Sequence, residues 1–144
     1  MRGFEKVSAA RYVKMPRRST KHAAGYDFFS PCDVTLPPHE TTLLSTNVKA
    51  FMPCDEVLKI YPRSSLATNN NIVLRNSVAI IDSDYYNNRS NDGNIILPLY
   101  NDGDVEYKIK KDDRIAQGIF EKFLTVDDDV AEQERKGGFG STGS

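Results

Sequence analysis

An all-β fold of the sandwich or jelly-roll-barrel kind is what this chain of 144 residues predicts, on three observations. Short β-branched and aromatic segments follow one another, turn residues separate them at short intervals, and no long stripe of 3.6-residue period occurs. A single domain of this length can bury a substantial core.

Taken in order, Ala24-Gly25-Tyr26-Asp27-Phe28 reads as a small-residue turn that delivers a carboxylate into an apolar setting. An ordinary turn aspartate satisfied by neighbouring N–H groups would look the same. After Pro37-Pro38, the stretch Thr41–Val48 mixes β-branched and polar residues and predicts a strand. Val57–Tyr61 predicts the next, which Pro62 stops. Ser64–Asn70 is the one plausible helical turn, with Ser64 or Ser65 as its cap. Past Asn69-Asn70-Asn71, strands are expected at Ile72–Leu74, Val78–Ile81 and Ile95–Tyr100. Val105–Lys110 alternates apolar with charged residues, the period-two mark of a half-buried strand. Arg114–Gln117 should be a strand with Arg114 and Ala116 on one face, Ile115 and Gln117 on the other. Charge and a lack of turn-fixing residues make Val126–Lys136 a flexible arm, leading to Gly137-Gly138-Phe139-Gly140-Ser141-Thr142-Gly143-Ser144. The expected division is therefore a β-barrel catalytic domain over 1–125 and a C-terminal arm over 126–144.

Composition excludes several partners. The formal net charge of −1 argues against a general nucleic-acid or membrane-surface binder, since both rely on a basic excess. The local basic cluster of Lys14, Arg17, Arg18 and Lys21 reads as a solvated face. Apolar runs are only a few residues long, too short to span a bilayer. With two cysteines, Cys32 and Cys54, and no signal peptide at its start, the chain is expected in the cytoplasm with reduced thiols.

Several clusters could carry chemistry. In Pro62-Arg63-Ser64-Ser65-Leu66-Ala67 a forked cation stands beside two hydroxyls where a helix begins, a combination suited to phosphate or to plain capping. The apolar run Val78–Ile81 ends abruptly in Asp82, a partly desolvated position where a general base can be tuned. Asn76 just before it offers donors and an acceptor that could read a pyrimidine edge. The glycine-rich tail has open N–H groups that could wrap an anion, while Phe139 could lie flat on a ring. A nucleotide offers both. No G-x-x-x-x-G-K-[ST] phosphate loop is present, and neither His22 nor His39 has the companions of a zinc site or a catalytic triad.

These clusters, in this order, resemble the five motifs of the trimeric dUTP pyrophosphatases (dUTPases). The family pattern runs A-G-x-D-L, P-R-S-[GS]-L-A, G-x-I-D-x-D-Y-x-G-x-I, R-[IV]-A-Q and G-G-F-G-S-[TS]-G. The match spans Ala24 to Gly143, and five motifs in sequence make it specific where each alone is weak.

The resemblance implies a jelly-roll-like β fold assembled as a homotrimer. Its active sites would be shared, with the third motif and the glycine tail donated by different subunits. It further implies hydrolysis of dUTP to dUMP and pyrophosphate, with Mg²⁺ on the triphosphate, which keeps uracil out of DNA and supplies dUMP for thymidylate synthesis. By similarity, Asp82 is the base that deprotonates water at the α-phosphorus. Asn76 and the backbone after it read uracil, and Tyr85 packs under the deoxyribose to exclude a 2′-hydroxyl. Arg63, Ser64, Ser65 and Gln117 hold the phosphate end, and Asp27 sits near the metal through water. In the tail, Phe139 stacks on uracil while Gly140, Ser141 and Thr142 close on the nucleotide.

Three features depart from the pattern. Ala79 stands where the family usually has glycine, and Asn87-Asn88-Arg89-Ser90-Asn91-Asp92 is inserted between Tyr86 and Gly93. Glu134 occupies the place of an arginine that grips the γ-phosphate, so that role passes to Arg135, with Lys136 beside it. Two other readings define what to look for. A dCTP deaminase shares the fold and an R-S-S-L-A sequence, but needs a glutamate near the third motif where this chain has Tyr85-Tyr86-Asn87. A non-catalytic binding protein would not need Asp82 and Phe139 intact.

Overall fold

A computed structural model describes residues 1–140. It contains eleven antiparallel strands and one short helix. They are β1 Gly3–Lys6, β2 Tyr26–Phe29, β3 Val34–Leu36, β4 Thr41–Ser45, β5 Val48–Phe51 and β6 Glu56–Pro62. Helix α1 (Ser64–Asn70) follows, then β7 Ile72–Leu74, β8 Ala79–Asp82, β9 Ile96–Asn101, β10 Tyr107–Ile109 and β11 Arg114–Lys122. The largest sheet has the order β2-β11-β6-β8, a second runs β4-β9-β7, and two ribbons pair β1 with β5 and β3 with β10. Among the described residues these sheets wrap one core without closing into a continuous barrel.

Every sheet contributes to that core. Phe28, Leu58, Ile60, Ile81 and Ile115 come from the four-stranded sheet, Leu44, Leu74, Leu97 and Leu99 from the three-stranded one, and the ribbons add Leu36, Val48 and Ile109. Burial of this set is the dominant favourable contribution to folding. Asn101 is also buried, and its amide donates to the carbonyls of Leu36 (3.0 Å) and Val105 (2.9 Å) while its oxygen accepts from Gly103 N (2.9 Å). One side chain thus satisfies the turn that carries β9 into β10.

Several strand expectations need correction. Thr41–Val48 is not one strand: Asn47 takes a left-handed φ of 61°, which breaks the segment into β4 and β5 in different sheets. Only Tyr107–Ile109 pairs within Val105–Lys110, and Val105 is exposed. Asp27 lies in a strand rather than a turn, bridged to Arg17 through Asp27 N to Arg17 O at 2.8 Å. The alternation expected for Arg114–Gln117 fails because a bulge falls between Arg114 and Ala116, so Ile115 and Ala116 are both buried. Strands β1, β2, β3 and β5 carried too few residues for period-two patterning to show them. No helix among the described residues is long and apolar enough to cross a membrane.

Candidate active site

The third motif is built on β8, an edge strand whose only neighbour in the sheet is β6. Ala79 and Ile81 are buried while Ile80 and Asp82 are exposed, so the outer row of the strand presents Asp82 at its end. The Asp82 side chain is 52% exposed, more open than the partly desolvated carboxylate expected. The reason is positional: the outer row of an edge strand has no sheet above it. What covers Asp82 is the tail.

Immediately after Asp82 the chain makes one tight helical turn, Ser83–Tyr85, which swings the Tyr85 ring into the core. The Tyr85 hydroxyl donates to Asn94 O at 2.8 Å and accepts from Asn91 Nδ2 at 2.8 Å. Burial, opposed chiefly by the Asn91 hydrogen bond, raises its phenol above the ordinary tyrosine value. Asn76 occupies a tight turn before β8, where Val78 N donates to Asn76 O at 2.8 Å and Ser77 adopts a φ of 66°.

The tail returns to this strand. Arg135 donates through Nη2 to Asp82 Oδ2 at 2.9 Å and through Nε to Asp84 Oδ1 at 2.8 Å, and its guanidinium carbon lies 5.5 Å from the Tyr85 ring centroid. Phe139 and Gly140 continue over the same place. Together Asn76, Asp82, Tyr85, Arg135, Phe139 and Gly140 line a cleft of about 270 Å³. In the single chain the tail rests on its own third motif. Residues 126–134 before it are exposed throughout.

The other expected residues lie elsewhere. The helix does not use a serine cap: Arg63 holds the N-cap position with no side-chain cap, because Ser64 and Ser65 are already inside the helix. Arg63 Nη1 instead donates to Ser65 Oγ at 2.9 Å. Arg63, Ser65 and Arg114 line a separate cleft of about 520 Å³. Ser64 and Gln117 line neither cleft. Gln117 stands in register between Asp27 on β2 and Tyr61 on β6. A Cβ on Gly25 would sit 2.7 Å from Gln117 Oε1, so glycine is what admits that side chain. Asp27 lies 3.7 Å from Arg114 and lines a third cleft of about 340 Å³ with Arg17, Arg18 and Arg114.

One chain therefore brings together Asn76, Asp82, Tyr85, Arg135 and Phe139, but not Arg63, Ser64, Ser65, Gln117 or Asp27. Ser141 and Thr142 lie outside the described residues. Arg114 is the site candidate that the reading of residues passed over, although it opens the Arg114-Ile115-Ala116-Gln117 motif. Among the described residues no three His, Cys, Asp or Glu side chains gather as a metal cage. A cation arriving on a triphosphate brings its own oxygen ligands and needs only a carboxylate within reach of its waters, which Asp27 can offer.

Comparison with known proteins bears on the whole arrangement. The dUTPase family model matches residues 11–143. The deoxyuridine 5′-triphosphate nucleotidohydrolase of Lactococcus lactis is 44% identical over 148 aligned positions, covering 100% of this chain and 99% of that protein. The crystal structure of dUTPase from Streptococcus mutans superposes with a TM-score of 0.82 at 38% identity, over 87% of this chain and 98% of that one. The dUTPase of Staphylococcus bacteriophage 80alpha, solved with dUPNHPP, shares the fold with a TM-score of 0.76 at 24% identity, over 100% of this chain and 99% of that one.

Proposed function

The chain belongs to the dUTPase family, has its jelly-roll fold and hydrolyses dUTP to dUMP, and we propose that it does so with Asp82 as the general base. The observation that carries this reading is the convergence of Asn76, Asp82, Tyr85 and Phe139 on one cleft. An exposed carboxylate at the end of an edge strand can take a proton from water and direct the hydroxide at the α-phosphorus, releasing pyrophosphate as the leaving group. The free edge of β8 leaves backbone N–H and C=O groups available to a base, and Asn76 adds an amide beside them. Uracil and cytosine make opposite demands at position 4, so a mismatched buried group would cost about 1–3 kcal/mol. Tyr85, fixed by two hydrogen bonds, is a rigid wall under the sugar that leaves no room for a 2′-hydroxyl.

Phosphates are held by Arg63, Ser64, Ser65 and Gln117, with Arg135 leaving Asp82 to pair with the terminal phosphate. Asp27 fits Mg²⁺ carried by the substrate, held through water. When bound, the ion neutralises charge on the triphosphate. The clefts that hold Asp82 and Arg63 have no lining residue in common, an arrangement that fits sites completed by another copy of the chain. This supports a homotrimer with shared sites. Gly137–Ser144, arriving from residues 126–136, acts as the lid that excludes water once the triphosphate is in place. The residues 1–125 then form the catalytic domain, working in the cytoplasm on free nucleotide.

The test is pyrophosphate release from dUTP, dTTP, dCTP and UTP side by side with Mg²⁺. Release from dUTP alone is expected. No release from any of them would leave a binding protein, and ammonia from dCTP would mean a deaminase.

A further inference from the structure

The inserted segment Asn87–Asp92 has no part in the five-motif pattern, yet it is the most densely hydrogen-bonded loop near the cleft. The Asn88 side-chain oxygen accepts from Ser90 N (3.0 Å), Asn91 N (3.1 Å) and Ser90 Oγ (2.9 Å). Its amide nitrogen donates to Tyr85 O at 2.9 Å and Asn91 Oδ1 at 2.7 Å. The far end is rooted in the sheet framework: Asp92 accepts from Ser8 N at 2.8 Å and from the buried ammonium of Lys49 on β5 at 2.9 Å. A loop tied at both ends and across its middle is a fixed surface.

Two contacts leave that surface toward the cleft. Asn91 Nδ2 donates to the Tyr85 hydroxyl at 2.8 Å. Gly138 N, in the tail, donates to Ser90 Oγ at 2.6 Å. The Ser90 proton is already given to Asn88, so its lone pairs are what the tail meets. Gly138 is buried there, and a Cβ on it would lie 2.7 Å from both Ser90 Oγ and Asn91 Nδ2. Only glycine lets the backbone approach so closely, and the next residue is Phe139 of the cleft.

We propose that the inserted loop is a latch and a strut: Ser90 docks the closing tail, and Asn91 fixes Tyr85 against the sugar. Both are positioning residues, one for lid closure and one for sugar selection. The assignment rests on the reading of the cleft as the dUTP site.

The test compares the full-length protein with Ser90→Ala, Ser90→Thr and Asn91→Ala, plus Asn91→Asp should the alanine variant fold poorly. Trypsin cleavage after Lys136, read by mass spectrometry with and without the non-hydrolysable α,β-imido-dUTP, reports tail docking independently of turnover. Ser90→Ala is expected to speed that cleavage and lower kcat/KM for dUTP by about three- to tenfold, as loss of one hydrogen bond would. Ser90→Thr should restore both. Removing the Asn91 donor should raise UTP turnover relative to dUTP by a similar factor. Cleavage of Ser90→Ala at the wild-type rate overturns the latch, and an unchanged dUTP-to-UTP ratio overturns the strut. Wild-type protein that leaves dUTP intact would instead sink the functional reading, while the cleavage comparison would still decide the latch.

Discussion

Arg135 lies 2.9 Å from Asp82, its guanidinium bonded to the carboxylate proposed as the catalytic base. The Arg135 side chain is only 9% exposed and lines the cleft beside Asp82. Asp84, at 2.8 Å, takes the second arm of the fork. A triphosphate entering the site competes for the same cation with more charge and a matching bidentate geometry.

Arg135→Ala should therefore lower kcat/KM for dUTP by about tenfold or more, the loss of a charge-assisted hydrogen bond of ~1.5–3 kcal/mol. Arg135→Lys should recover only part of this, since a point charge cannot bridge two acceptors as a planar fork does. Steady-state kinetics on the three proteins decide it. Equal rates would show that Arg135 serves only the substrate-free state.

Asp82→Asn should abolish most turnover, by about 10²–10⁴-fold, while retaining nucleotide affinity within a few fold. Calorimetric titration with α,β-imido-dUTP, run beside single-turnover hydrolysis, separates the two effects. Near wild-type hydrolysis would remove Asp82 from the base role.

Deleting 126–144 should cost turnover far more than stability. Among the described residues no fully buried member of the hydrophobic core lies beyond Ala116, Phe120 is the last to pack against it, and the arm is exposed from Val126 to Glu134. A melting temperature within about 2 °C of the full chain, with kcat lower by about 10² or more, is the expected pair of results. Unchanged kcat would show the tail to be a passive end.

The anchor of the inserted loop gives a pH signature. The Ser8 N–H, and after it the Lys49 ammonium, hold the Asp92 carboxyl below its ordinary value. A carboxyl depressed in the folded state stabilises it above the unfolded pKa of about 3.9, and that contribution is lost as pH falls through the folded value. Asp92→Asn should thus melt a few degrees below wild type at pH 6–7, with the gap closing at acid pH. A gap that persists unchanged at pH 3 would rule out the charge as its source.

Light scattering should give a mass three times the 16.2 kDa chain. A monomer that still hydrolyses dUTP would refute the shared site.

The sequence by itself determined the elements that local chemistry can specify. Turn residues and β-branched runs located β6, β7, β8 and β9, and the third motif, the glycine tail and Asn76 ahead of that motif singled out Asp82, Tyr85, Phe139 and Asn76, which line one cleft. Period-two patterning could not register strands of three or four residues such as β2 and β3, nor the left-handed turn at Asn47 that divides a continuous β-rich run. The serine caps failed for a similar reason, since helix entry is fixed by backbone angles at Arg63 rather than by which hydroxyl is nearest. Tertiary structure alone decided which distant residues meet. Arg135 reaches Asp82 and Gly138 reaches Ser90 across separations of 53 and 48 residues, and no local spacing encodes such contacts. They exist because the packed sheets fix β8 and the inserted loop in space, so that a returning chain finds both surfaces already in place.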